Sequence, residues 1–300
     1  MQAIGDTSRG RTAMGVLAAV TGQVIWGFSF IFSKTALRYA TPPVLLSVRF
    51  LIAFALMNLL VCTGRCKLSL RGKHLGSLLL LGLLEPVLYF YCESYGILYT
   101  NATFAGVMVA MNPIVAMLMA AVLLRERPSR RQAVFGLLPI LGVALITLSS
   151  RAEGAIRPIG VVILAGTCLC AGLSRVLSRR TAARFSSFER TYVMMMLGSV
   201  VFTASAVLEN LGNPRALLAP LASGWFWASA FFLGALCSVA SYGCVNFALE
   251  RLPVARAAVF SSLTTVVSIF AGVIFLGEPI TGVSVVGSIL IIVGIWVVSS

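Results

Sequence analysis

Acidic residues are nearly missing from this sequence: nine in 300 positions, with one aspartate, Asp6, among them, and a single histidine, His74. That scarcity removes several chemistries at once. Aspartate-rich prenyl-binding motifs and paired membrane histidines, which an intramembrane enzyme would use, cannot be built from it. No nucleotide-binding loop occurs either, so neither such an enzyme nor an ATP-driven pump is supported. Charge of either sign is sparse, at 11% against 59% hydrophobic residues, too little to dress a soluble globule of this length. The seven cysteines, an odd number, argue against a disulfide framework. Cys168-Leu-Cys170 lies far from His74, so packing thiols are expected, with no metal and no other cofactor.

What is abundant is long apolar sequence. Stretches of about 20 residues, enough to cross ~30 Å of hydrocarbon, recur at about 13–36, 43–63, 75–98, 103–124, 131–149, 158–178, 187–208, 223–247, 254–276 and 281–299. The expected fold class is therefore an all-α integral membrane protein with ten transmembrane helices. The dozen residues MQAIGDTSRGRT before the first stretch carry no small-residue cleavage site, so that helix reads as retained.

The net charge of +14 does not read as a nucleic-acid footprint, because of where the cations fall. Fifteen lie in loops on one side (Arg9, Arg11, Arg65, Lys67, Arg71, Lys73, Arg125, Arg127, Arg130, Arg131, Arg179, Arg180, Arg184, Arg251, Arg256). Four lie on the other: Arg38, Arg151, Arg157 and Arg215. This positive-inside bias puts both termini in the cytoplasm of a multi-pass plasma or inner membrane protein.

An internal repeat is visible in register. A shift of 141 lays Ser33-Lys34 on Ser174-Arg175 and Arg49 on Arg190; a shift of 152 lays Gly82 on Gly234, Ala105 on Ala257, Val107 on Val259 and Glu126 on Glu278. Chance likeness among apolar helices would match leucines, not charges and glycines. Two five-helix halves follow, 1–150 and 157–300, the second with eleven extra residues between its second and third spans. Because five is odd, the halves must be inverted, the layout many secondary transporters use around a midplane site. The fourth-to-fifth-span segments, LLRERPSRRQAVFGLLPILG (123–142) and FLGEPITGVSVVGSILIIVG (275–294), match best. Glu126 and Glu278 there read as rim residues that cap or pair locally, without a role in transport.

These segments, with WGFSFIFSK (26–34) in the first helix and SVRF (47–50) in the second, resemble the EamA-type branch of the drug/metabolite transporter superfamily. The resemblance covers essentially the whole chain. It implies ten helices, cytoplasmic termini and export, less often uptake, of amino acids, nucleoside-like metabolites or drugs. It does not specify a cargo.

Polar positions where the halves differ are the better candidates for chemistry. Under the 152 shift Glu85 faces Cys237, Tyr89 faces Ser241 and Glu93 faces Val245. On an unbroken helix Glu85, Tyr89 and Cys92 share a face, with Glu93 about 80° round and ~12 Å further on. Pro86 donates no backbone hydrogen bond and disturbs the preceding turn. A carboxylate in hydrocarbon is costly to keep ionised. Three roles stand open for Glu93: carrying a proton that couples flux to a gradient, recognising an amino group on cargo, or pairing with Arg49 or Lys34; Glu85 is expected rather to be proton-bonded into the packing. Lys34 is expected to snorkel to the interface, whereas Arg49, two turns into its span, needs an acid or a cargo carboxylate.

The remaining candidate lining is Trp26 and Phe30 in the first span, Met108 and Asn112 in the fourth, Ser241, Tyr242 and Asn246 in the eighth, and Thr265 in the ninth. Aromatic, hydroxyl and amide walls suit a small amphiphilic solute better than an inorganic ion. The expectation is a secondary transporter working by alternating access, with an amino acid or related metabolite as first choice of cargo. Multidrug or cationic metabolite efflux, a channel-like facilitator, and an intramembrane enzyme are the alternatives. Expected partners are the small solute, the bilayer and a coupling proton, with no nucleic acid; oligomeric state is left open.

Overall fold

The computed structural model describes residues 2–70, 75–109, 111–123, 130–135, 137–152, 156–181, 184–249, 260–277 and 281–299. Among them there is no strand. Backbone polar groups in hydrocarbon must be satisfied within their own segment, which a helix does and an open strand does not. The order is α1 (Gln2–Ala36), α2 (Pro42–Cys62), α3 (Gly76–Gly82), a π-helical run kinked at Glu85 (Leu83–Leu88), α4 (Tyr89–Tyr99), α5 (Ala102–Val109) and α6 (Asn112–Leu123). Then come α7 (Arg130–Phe135), α8 (Leu137–Ala152), α9 (Pro158–Thr181), α10 (Ser187–Glu209) and the short α11 (Pro214–Leu218) with a 3-10 turn (Ala219–Ala222). The chain closes with α12 (Gly224–Phe231), a second π-helical run (Phe232–Ala240), α13 (Ser241–Leu249), α14 (Ser261–Leu276) and α15 (Gly282–Ser299).

Helix ends follow local chemistry. Prolines open α2, where a missing N–H costs nothing. Ser186 and Glu189 form a reciprocal capping box at the start of α10. Gly277, at φ 63°, ends α14 in the left-handed conformation that glycine enters freely.

Six helical runs among the described residues are long and apolar enough to cross a bilayer: Thr12–Ala36, Pro42–Cys62, Gly76–Tyr99, Pro158–Ser178, Ser187–Glu209 and Gly224–Val245. They coincide with the first three expected spans and with the sixth, seventh and eighth. The expected fourth span is divided into α5 and α6 by a turn at Met111, and the fifth is covered by α7 and α8. The ninth is described from Phe260 onward, as α14, and the tenth corresponds to α15. Glu126 and Glu278 lie outside the described residues.

The main packing partners are α2 with α10, α8 with α15, α1 with α13 and α14, and α9 with α4 and α6. Small residues permit the close approaches. A Cβ added to Gly142 would lie 2.5 Å from the Gly287 carbonyl, and one added to Gly287 would lie 2.8 Å from that of Gly142, so α8 and α15 cross backbone to backbone. Gly82 abuts Leu197 of α10, and Gly234 abuts Arg49 and Ile52 of α2. An aromatic core of Phe50, Phe90 and Phe202 sits between α2, α4 and α10.

Candidate functional site

The third span breaks where the sequence places its first acid. Glu85 departs from helical geometry (φ −142°, ψ 111°), and the Glu85–Pro86 bond is cis. The expected single face of Glu85, Tyr89 and Cys92 therefore does not form as an unbroken helix would place it, because the periodicity is interrupted at Glu85. Cys92 turns toward Gly166 of α9. Glu93 and Tyr89 are at i, i+4 within α4, and the tyrosine hydroxyl donates to Glu93 Oε1 at 3.3 Å.

Glu85 sits between three helical segments. Its Oε1 accepts from the Tyr242 hydroxyl at 2.8 Å, and its Oε2 accepts from the Ser174 hydroxyl. Trp26 frames the same place, its ring edge-on to Tyr242 with centroids 5.3 Å apart and its Nε1 donating to the Cys237 carbonyl at 3.0 Å. That carbonyl belongs to the second π-helical run, so α1 is tied to the eighth span beside the acid.

Arg49 is 3% exposed and Glu93 4%. The arginine donates from Nε to Ser238 Oγ at 3.1 Å, and Ser238 in turn donates to the Leu233 carbonyl at 2.9 Å. Its guanidinium lies over the Phe90 ring, 4.1 Å from the centroid, and 5.5 Å from that of Phe50. Arg49 and Glu93 act on each other electrostatically, yet no direct ion pair joins Arg49 to either acid among the described residues. Isolated buried charge costs several kcal/mol in order-of-magnitude terms, and a cation over an aromatic face recovers only about 2 kcal/mol. A buried cation and a buried acid thus stand near each other with most of their hydrogen-bonding capacity unspent.

The other expected site residues divide. Tyr242 and Tyr89 belong to this cluster. Phe30 and Met108 pack in a neighbouring apolar core with Ile97, Phe104 and Leu164, where the Met108 carbonyl accepts from Cys168 Sγ at 3.2 Å. Asn112, Ser241 and Thr265 are buried, and Asn112 Oδ1, Ser241 Oγ and Thr265 Oγ1 have no hydrogen-bond partner among the described residues. Asn246 lies on α13; its side chain is outside the described residues. Lys34 departs from its expected snorkelling: Nζ donates to the carbonyls of Ile97 and Thr100 at 2.9 and 3.2 Å, because acceptors at the end of α4 are within its reach.

Two residues of interest escaped the sequence reading, Ser174 and Thr167, the latter buried with Oγ1 likewise without a partner among the described residues. The signal was available. The 141 shift that pairs Lys34 with Arg175 also sets Ser33 on Ser174 and Trp26 on Thr167.

A multi-pass helical bundle holding a polar cluster between its helices, away from its lipid-facing apolar surface, is built as a solute carrier is built. The chain belongs to the EamA-like transporter family, whose model matches twice, at residues 13–148 and 158–300, and so to the drug/metabolite transporter superfamily. It is 31% identical over 282 residues to the uncharacterized transporter YcxC of Bacillus subtilis, covering 93% of this chain and 90% of that one. It is 23% identical over 284 residues to a probable amino-acid metabolite efflux pump of Salmonella typhimurium, covering 91% of each. A solved crystal structure shares the fold, with a TM-score of 0.66 at 20% identity over 95% of this chain and 96% of that one.

Proposed function

We propose that this transporter exports a zwitterionic metabolite, an amino acid or a close relative, by alternating access across the plasma membrane. The observation that carries the reading is Arg49: a buried cation beside Glu93 with no carboxylate bonded to it. A cargo that brings its own carboxylate to Arg49 and its own ammonium to the Glu93–Tyr89 pair completes both. Trp26, Tyr242 and Ser241 then wall the apolar part. The name of the Salmonella relative agrees with this class of cargo.

The cargo lies between two inverted five-helix halves, 1–150 and 157–300, with both termini in the cytoplasm. Supporting this layout, α2 of the first half packs on α10 of the second and α8 on α15, while α1 meets α14 as α9 meets α6. The π-helical run Leu83–Leu88, moved by 152, falls within Phe232–Ala240. Energy comes from a gradient, with a glutamate carrying the coupling proton, or from the cargo's own.

Cationic drug efflux is the second reading, favoured by the two acids and the aromatic walls; it has no use for Arg49. A thermal-shift screen of the purified protein against amino acids, nucleosides and lipophilic cations separates the two, because a specific ligand stabilises the folded state by mass action. Stabilisation by amino acids and none by the amines lacking a carboxylate is the expected result. Stabilisation by lipophilic cations alone overturns it.

A further inference from the structure

The two ends of the bundle are built from matching parts that are in different states. At one end Lys34, near the close of α1, donates to the carbonyls of Ile97 and Thr100 at the close of α4. Carbonyls there lack intrahelical partners and carry the negative end of the helix dipole, so a cation is their natural cap. Around that contact the packing is tight. The helix α1 packs on α4, the Arg157 amide donates to the Tyr99 carbonyl at 3.0 Å, and a Cβ on Gly160 of α9 would lie 2.6 Å from Thr100 and 2.9 Å from Tyr99.

The 141 shift moves Lys34 onto Arg175 of α9, and the 152 shift moves Ile97 onto Leu249, the last described residue of α13. Among the described residues the corresponding contact is not made; Leu252, which the same shift pairs with Thr100, lies outside them. Arg175 is exposed and has no hydrogen-bond partner among the described residues, and among those residues α9 packs less on α13 than α1 does on α4.

We propose that Lys34 and Arg175 are paired gate residues: Lys34 latches its end of the bundle shut in this structure, and Arg175 latches the other end onto the α13 terminus when the bundle reverses. The proposal rests on the alternating-access reading for its cycle, but not on any cargo. It also does not depend on which end faces the cytoplasm.

Paired spin labels test it in lipid nanodiscs without solute, on a background with the native cysteines replaced. Tyr39→Cys with Leu98→Cys reports the Lys34 end, and Arg180→Cys with Gly243→Cys reports the Arg175 end. Lys34→Met removes two charge-assisted bonds and is expected to raise the long-to-short population ratio at the Tyr39–Leu98 pair about tenfold, while the Arg180–Gly243 pair shortens. Arg175→Met is expected to do the opposite, and Lys34→Arg to retain the closed distribution. Should Lys34→Met lose its folded fraction, Lys34→Gln, which still donates, must give an intermediate shift. Substitutions at Lys34 and Arg175 that move both distances in the same sense, or leave them unchanged, overturn the latch. Distances that respond as expected in a protein that moves no amino acid would refute the cargo reading and leave the latch standing.

Discussion

Replacing Arg49 by methionine separates a structural cation from a cargo-binding one. On the structural side the loss is small. Ser238 keeps its own bond to the Leu233 carbonyl, so no donor is orphaned, and methionine fills much of the space over Phe90. The cation–π contact forfeited is worth about 0.5–2 kcal/mol, and removing a buried charge without an ion-pair partner recovers part of its desolvation cost. The net change in stability should stay within about 2 kcal/mol of zero. On the cargo side the loss is large, because a hydrogen bond to a charged group contributes about 1.5–3 kcal/mol, or roughly 10- to 100-fold in affinity. The assay is a ligand titration of thermal stability, with an α-amino acid compared against the amine of the same side chain without its carboxylate. Arg49→Met should abolish the amino-acid response and leave any amine response in place. A variant that melts many degrees lower on its own, yet keeps the full amino-acid shift, would refute the reasoning and make Arg49 a packing residue.

Three further outcomes follow from the same geometry. Glu93→Gln retains an acceptor for the Tyr89 hydroxyl and should fold normally while abolishing or uncoupling flux, read as solute-driven proton movement in liposomes; unchanged solute and proton flux would remove Glu93 from the mechanism. Tyr242→Phe keeps the edge contact to Trp26 but withdraws one of the two hydroxyls on Glu85, at about 1–3 kcal/mol, so thermal stability should fall; an unshifted melting curve would show that bond to be dispensable. Gly287→Val drives a Cβ to 2.6 Å from Ile146 and 2.8 Å from the Gly142 carbonyl and should cost about 1–3 kcal/mol, whereas Gly243→Ala, with nothing within 4 Å, should be tolerated; equal melting temperatures would contradict the α8–α15 crossing.

The class of this protein was legible because a membrane imposes few solutions. Apolar length alone marked the six strong spans, while glycine and charge matches are what the proposed two-part layout rests on. Local chemistry at Glu85 was less legible. Pro86 announced a disturbed turn, but periodicity assumes an unbroken helix, and the break at Glu85 changes how that acid lies relative to Tyr89 and Glu93, which keep regular i, i+4 spacing within α4. Lys34 departs from the snorkelling rule for a related reason: its reach to the closing carbonyls of α4 is a tertiary fact, invisible to a rule about single spans. Ser174 is hard to read from sequence because a small hydroxyl in an apolar helix has no signature of its own. Only its equivalence with Ser33 marked it, and its bond to Glu85 joins residues 89 apart in sequence.

The two π-helical runs have a mechanical consequence. Phe232–Ala240 runs as a wider turn and Leu83–Leu88 is kinked at Glu85, and both irregular segments lie in the spans that hold Glu85, Tyr89, Ser238 and Tyr242, while α2 and α10 are regular along their whole lengths. Compliance is thus concentrated under the polar side chains and stiffness in the frame. A substitution that regularises either segment will be felt first as altered spacing among those four residues.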